Sequence, residues 1–195
     1  MATGSTTGSV SPRRADTRRN NERILAAAAA SLACSGDLSF NAIAKAAGVV
    51  VGTVYRHFPT PEALVLAVYR REVQHLVDLV PALLRDLSPA EAFRVWTTDH
   101  LARYMMTKRG LAEALRAATP SHEDVAGQAY EAIAGAVTTL LAANVEAGTV
   151  RADLKPDTVL RGLSGLLQLD KHGDWRSQAE ALTDLLWLGM SPRSS

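Results

Sequence analysis

The chain has little of what secreted, membrane-embedded or catalytic proteins rely on. Its single cysteine, Cys34, can form no internal disulfide and reads as a small buried hydrophobe on a helix. No apolar run approaches the roughly 18 residues needed to cross a bilayer. Met1 to Ser11 are rich in Gly, Ser and Thr and lack the apolar stretch of a signal peptide, so a cytoplasmic protein with no membrane partner is expected. Aromatic residues are only 5% of the chain, and β-branched residues are sparse beside Ala and Leu, which favours helix over sheet. There is no glycine-rich phosphate loop, nucleophile motif or carboxylate pair, so no enzyme and no cofactor are implied. The five histidines, His57, His75, His100, His122 and His172, share no metal-type spacing, and no metal site is expected.

What is present is an apolar, helix-forming chain with an uneven charge distribution. Of 195 residues, 47% are hydrophobic, enough for a substantial core. The net charge of +1 hides an asymmetry: the first 60 residues hold seven Lys/Arg against three Asp/Glu, the rest fourteen against seventeen. Arg13, Arg14, Arg18, Arg19 and Arg23 cluster near the start. Such a patch suits a polyanion, because neutralised phosphates release counterions; a solvated helix face would look the same.

Local signals divide the chain into helices. Residues 1–14 read as a flexible basic arm. A first helix is expected from about Asp16, as N-cap, to Cys34, with Ile24, Ala28 and Leu32 in line. Ser39 caps a short helix over Phe40 to Ala47, Gly48 supplies a left-handed turn, and a second short helix runs from Val51 to His57 or Phe58. Two short helices around a glycine turn make a helix-turn-helix. Thr60-Pro61 starts a helix through Val65, Val68, Val73 and Leu76, which Pro81 kinks or ends after Val80. Ser88, Pro89 and Glu91 form a capping box for a fifth helix, closed near Lys108 to Gly110. A short helix over Leu111 to Ala117, a long one from Ser121 to Ala147 closed by Gly148, one from Pro156 to about Leu169, and one capped by Asp174 and ending near Gly189 complete about nine helices and no strand.

Function is concentrated in Ile43 to Phe58, IAKAAGVVVGTVYRHF. Val54 and Phe58 fall on one face of the second short helix and should pack inward. Gly52, Thr53, Arg56 and His57 then face outward, with Val51 and Tyr55 at the rim. Small, hydroxyl and cationic groups on a short exposed helix suit a DNA major groove. The string AxxAGVxxGTVYRHFPTxEAL, from Ala44 to Leu64, resembles the DNA-binding domain of the tetracycline-repressor (TetR) family, and the close resemblance covers about Asn21 to Val68. Tyr104 to Arg116, YMMTKRGLAEALR, is similar to a C-terminal type found in some members. The resemblance implies an all-α fold with a three-helix head and a larger helical body. It also implies roles: Gly48 as the turn residue, Thr53, Tyr55 and His57 at the DNA backbone, Arg56 and Asn41 at bases or nearby phosphates, and Lys45 at a phosphate. Val50 and Val51 depart from the polar or basic residues common there, so base contacts at that end would be apolar. Pro61 stands where a lysine is frequent, leaving that phosphate to the helix amides.

Two further constellations have both a bland and a functional reading. Phe93, Trp96, His100 and Tyr104 are spaced by three, four and four, on one face of the fifth helix. They can be core, or the wall of an apolar effector pocket to which Tyr130, Gln168 and Trp175 add. Gly162 and Gly165 permit close helix approach, and Leu182, Leu185, Leu186 and Trp187 follow on the last helix. They can pack within the chain, or form the four-helix dimer interface that the resemblance implies.

The sequence thus predicts an all-α homodimer with an arm (1–14), a helix-turn-helix head (15–60) and an effector-binding and dimerisation body (61–195). It would bind a pseudo-palindromic double-stranded operator as a transcriptional repressor released by an unknown small-molecule effector. In the alternative, the body only dimerises or docks a protein partner.

Overall fold

The computed structural model describes residues 12–34, 38–106, 122–170 and 172–192. Eight α-helices and no strand occur among them: α1 (Pro12–Cys34), α2 (Phe40–Ala47), α3 (Val51–His57), α4 (Pro61–Asp86), α5 (Pro89–Val95), α6 (His122–Glu146), α7 (Pro156–Leu163) and α8 (Trp175–Met190). A π turn, Trp96–Leu101, continues α5 into helical residues 102–106. A 3₁₀ turn, Ser164–Gln168, continues α7.

Helix starts follow side-chain chemistry. Ser39 accepts from the Ala42 amide (3.4 Å), Thr60 from Ala63 (3.2 Å) and Asp174 from Ser177 (3.1 Å), each satisfying a donor the helix leaves open. At Ser88 the capping box closes both ways: Glu91 N donates to Ser88 Oγ (3.4 Å), and Ser88 N donates to Glu91 Oε2 (3.2 Å). The Ser88 hydroxyl, which donates to Glu91 Oε2 at 2.6 Å, and then the Ser88 amide hold the Glu91 carboxyl below its ordinary pKa. Gly48 (φ 62°) and Gly148 (φ 71°) end α2 and α6 in the left-handed region that disfavours a Cβ.

Three α1 residues, Ile24, Ala28 and Leu32, are buried, as the periodicity predicts, and α1 packs on α2 and α4. Val65, Val68, Val73, Leu76 and Val80 give α4 an apolar stripe buried along its length, and α4 packs against α1, α6 and the π turn. Among the described residues it thus packs both on α1 of the helix-turn-helix region and on the long helix α6.

Four boundaries differ from the sequence expectation. α1 begins at Pro12, not Asp16, so residues 12–14 belong to a helix rather than the arm; proline is preorganised for a first helical position. Asp16 consequently lies inside the helix, paired with Arg19 at 2.5 Å, and is no cap. Pro81 does not stop α4, which runs to Asp86; Pro81 is on the exposed side, where the carbonyl that loses its partner can be hydrated. The fifth helix is broken by the π turn, and the helix expected to about Leu169 tightens into 3₁₀ at Ser164. The expected arm residues 1–11, the close at Lys108 to Gly110 and the helix over Leu111 to Ala117 lie outside the described residues, as does the Cys34 side chain.

Candidate nucleic-acid interface

The head is built so that α3 is held from behind and open in front. Val54 and Phe58 are buried against the core that includes Ile43 and Ile24. Gly48 turns the chain between α2 and α3; its carbonyl accepts from Arg23 Nη2 at 3.3 Å, tying the turn back to α1. Phe40 of α2 lies 4.8 Å from the Tyr55 ring, centroid to centroid, and steadies that ring while Tyr55 stays 54% exposed.

The outward surface carries the residues expected there. Asn41 and Lys45 on α2 and Gly52 and Arg56 on α3 are exposed, while Thr53 and His57 are half-buried. Val50 is 75% exposed and Val51 37%. These nine residues, Tyr55 included, lie on α2, α3 and the turn between them, and Val54 is the one α3 residue turned fully into the core. On α1, Arg18, Arg19 and Arg23 are exposed too. Cationic, amide and hydroxyl groups around an exposed short helix can bond phosphates and base edges.

The predicted pocket residues do not stay together. Phe93 is fully buried, 5.6 Å from the Trp187 ring on α8. Trp96 is also fully buried, and its indole N–H donates to the Leu76 carbonyl of α4 at 2.9 Å. Among the described residues, His100 and Tyr104 line a cavity of about 120 Å³ together with Glu72, His75, Leu76 and Arg103. The cause is the π turn: its i→i+5 bonding turns His100 and Tyr104 away from the line that a regular helix would continue from Phe93. Tyr130 is instead 44% exposed and donates to Asp157, and Gln168 is exposed at the end of the 3₁₀ turn, so neither lines this cavity. Trp175 is half-buried with the Arg176 guanidinium 5.8 Å over its ring.

The cavity brings two histidines together, His75 and His100, with ring centroids 6.2 Å apart. Burial, then the neighbouring His75 and Arg103, push the His100 pKa down, against an upward pull from Asp99. Burial raises the Tyr104 hydroxyl, reinforced by the neighbouring Tyr69, whose ring lies 6.4 Å away, centroid to centroid. No spacing in the sequence groups His75, Glu72 and Arg103 with His100, because their shared wall depends on how α4 crosses the π turn.

The glycines of the C-terminal helices are occupied from within the chain. A Cβ at Gly162 would lie 2.8 Å from Leu186 Cδ2, and one at Gly165 3.1 Å from Leu182 Cδ2. Packing of α7 and its 3₁₀ extension on α8 therefore uses Gly162, Gly165, Leu182 and Leu186 within the chain, each of them left half-buried. Beside them on α8, Leu185 is 67% and Leu188 75% exposed. That helix is fixed to α5 and the π turn by an Arg94–Asp184 ion pair and by Arg176–Asp99 at 2.8 Å. Among the described residues, no helix is long and apolar enough to cross a membrane, and no group of three metal-ligating side chains occurs.

Comparison with known proteins places this architecture. Residues 24–68 match the family model for bacterial regulatory proteins of the tetR family, and residues 88–192 match that for the SbtR-like transcriptional regulator C-terminal domain. A TetR transcriptional regulator of Streptomyces coelicolor is 42% identical, covering 89% of this chain and 99% of its own, with a TM-score of 0.81. A TetR transcription regulatory protein of Mycobacterium vanbaalenii is 35% identical over 93% of this chain and 100% of its own, with a TM-score of 0.78. A search of curated proteins found no match.

Proposed function

Because the chain belongs to the TetR family of bacterial regulatory proteins, and is thus a DNA-binding transcriptional regulator and not an enzyme, we propose that it is a homodimeric repressor of a pseudo-palindromic operator, released by a small-molecule effector. The observation that carries the DNA half is the outward set of Asn41, Lys45, Thr53, Tyr55, Arg56 and His57 around α3. Tyr55, His57 and Thr53 position the helix on phosphates, and Arg56 forks onto a base. Two copies, joined through the exposed leucines of α8, present two such helices to successive major grooves.

The effector half rests on the cavity beside His100 and Tyr104. Three of its walls, Glu72, His75 and Leu76, belong to α4, the helix that starts at Pro61 directly behind α3. A ligand that widens this cavity moves α4, and α4 carries the head over roughly 20 Å of helix at 1.5 Å per residue. One observation favours the second reading, in which the body only dimerises or docks a protein. Taken alone, the cavity of about 120 Å³ is smaller than the roughly 300–1,000 Å³ of ordinary ligand sites, although a cavity of about 570 Å³ shares its Glu72 and His75 walls. The two readings separate in one experiment: the protein bound to labelled operator is titrated with a library of apolar and amphipathic compounds. Release of DNA by a compound that also raises the melting temperature supports the effector reading. A library-wide absence of both, with a pulled-down protein partner that needs the body, supports the other.

A further inference from the structure

We propose that Val50 and Val51 are base-reading residues and that they recognise the C5 methyl of thymine, an inference that rests on the DNA-binding reading of α3. Three successive residues at this point are poor choices for the helix they belong to. Val50 occupies the N-cap position with extended backbone (φ −75°, ψ 145°) and makes no side-chain cap bond. Serine, threonine, aspartate or asparagine would stabilise α3 there, and valine does not. Val51 adds a second exposed β-branched side chain at the first helical position. Gly52 sits inside the helix without positive φ, and a Cβ built on it meets nothing within 4 Å. Neither backbone conformation nor packing asks for glycine, among the weakest helix formers. Residues that break local preference without compensation inside the chain answer to something outside it.

The surroundings say what that is. Arg56 on α3 and Lys45 and Asn41 on α2 are exposed on the two helices that flank these valines, a frame for a polyanion rather than for an apolar protein surface. Within such a frame, the apolar group that a base edge offers in the major groove is the thymine methyl. Gly52, with no side chain, lets the backbone of α3 come close enough for the short valines to reach it.

The test uses the full-length protein. Wild type first selects its preferred duplex from a random pool, and each thymine of a half-site is then replaced singly by deoxyuridine. That replacement removes the methyl and keeps the pairing and the O4 acceptor. At one or more positions it should weaken wild-type binding about fourfold, the size expected for one buried methyl. In Val50→Ala/Val51→Ala the same replacement should change nothing, and the salt dependence of binding should match wild type, since apolar contacts release no counterions. Gly52→Ala should melt no lower than wild type yet bind the operator more weakly. Tolerance of deoxyuridine at every position, or an equal loss for wild type and the double variant, overturns the proposal. If wild type selects no duplex, the DNA-binding reading itself falls and takes this one with it, a failure recognisable before any thymine is replaced.

Discussion

α3 and α8 both show large apolar side chains to solvent, yet their neighbours differ completely. Six such residues are exposed among the described ones: Val50, Val51 and Tyr55 in and beside α3, Leu185 and Leu188 on α8, and Tyr130. Around α3 the exposed partners are Asn41, Lys45 and Arg56. On α8, Leu185 and Leu188 extend an aliphatic ridge from Leu182 and Leu186, which fill the spaces left by two glycines of the same chain. Exposure alone is uninformative; an apolar group set among cations suits nucleic acid, and an aliphatic ridge suits a copy of itself.

The largest effect should come from charging the ridge. Leu185→Glu/Leu188→Glu should weaken self-association at least about 100-fold, since each leucine forfeits about 1.5–3 kcal/mol of burial. Analytical ultracentrifugation should show a monomer, and operator affinity should fall with it. A folded dimer at wild-type concentrations would remove α8 from the interface. Gly165→Leu is the contrasting change on the same helix pair. Its side chain would collide with Leu182, costing about 1–3 kcal/mol of stability by overpacking. Chemical denaturation should record that loss while the dimer persists; monomer without destabilisation would place Gly165 between copies instead.

On the other surface, Arg56→Ala should cost about 1–3 kcal/mol against operator and less against scrambled duplex if Arg56 reads a base. Tyr55→Phe should weaken both by a similar factor, as a phosphate contact does. Fluorescence anisotropy titrations distinguish them, and equal losses for Arg56→Ala would make it a phosphate contact too. The smallest effect concerns pH. Burial and His75 depress the His100 pKa, so the unfolded chain takes up a proton that the fold resists. Stability should therefore fall as pH drops through the ordinary value of 6.5, and be recovered above it. His100→Gln should flatten that dependence in thermal melts between about pH 7 and pH 5; an unchanged slope would clear His100.

The parts of the fold visible in the sequence are those set by chemistry within a few residues. Ser39, Gly48, Thr60, Ser88 and Asp174 each act through a local backbone group, so their positions can be read directly. The expected DNA contacts are equally local: all nine residues lie on α2, on α3 or in the turn between them. The π turn is another matter. It lies where Trp96 reaches across to the Leu76 carbonyl, twenty residues away, and no spacing within the fifth helix reveals that partner. The stripe from Phe93 to Tyr104 was legible as a stripe; its division between core and cavity was not. Gly162 and Gly165 likewise announce close approach without saying whose side chain approaches. Tyr130 was grouped with the pocket by residue type, whereas its hydroxyl is engaged by Asp157 at the surface.

Sequence-specific binding by a dimer is the claim on which the rest depends. The most direct measurement titrates wild-type protein against its selected duplex and a scrambled one at several salt concentrations, with stoichiometry read from the saturation point. Two chains per pseudo-palindrome should bind, at least about 1,000-fold tighter than to scrambled DNA, with affinity for both falling steeply as salt rises. Equal affinity for the two duplexes, or saturation by one chain per site, would contradict it.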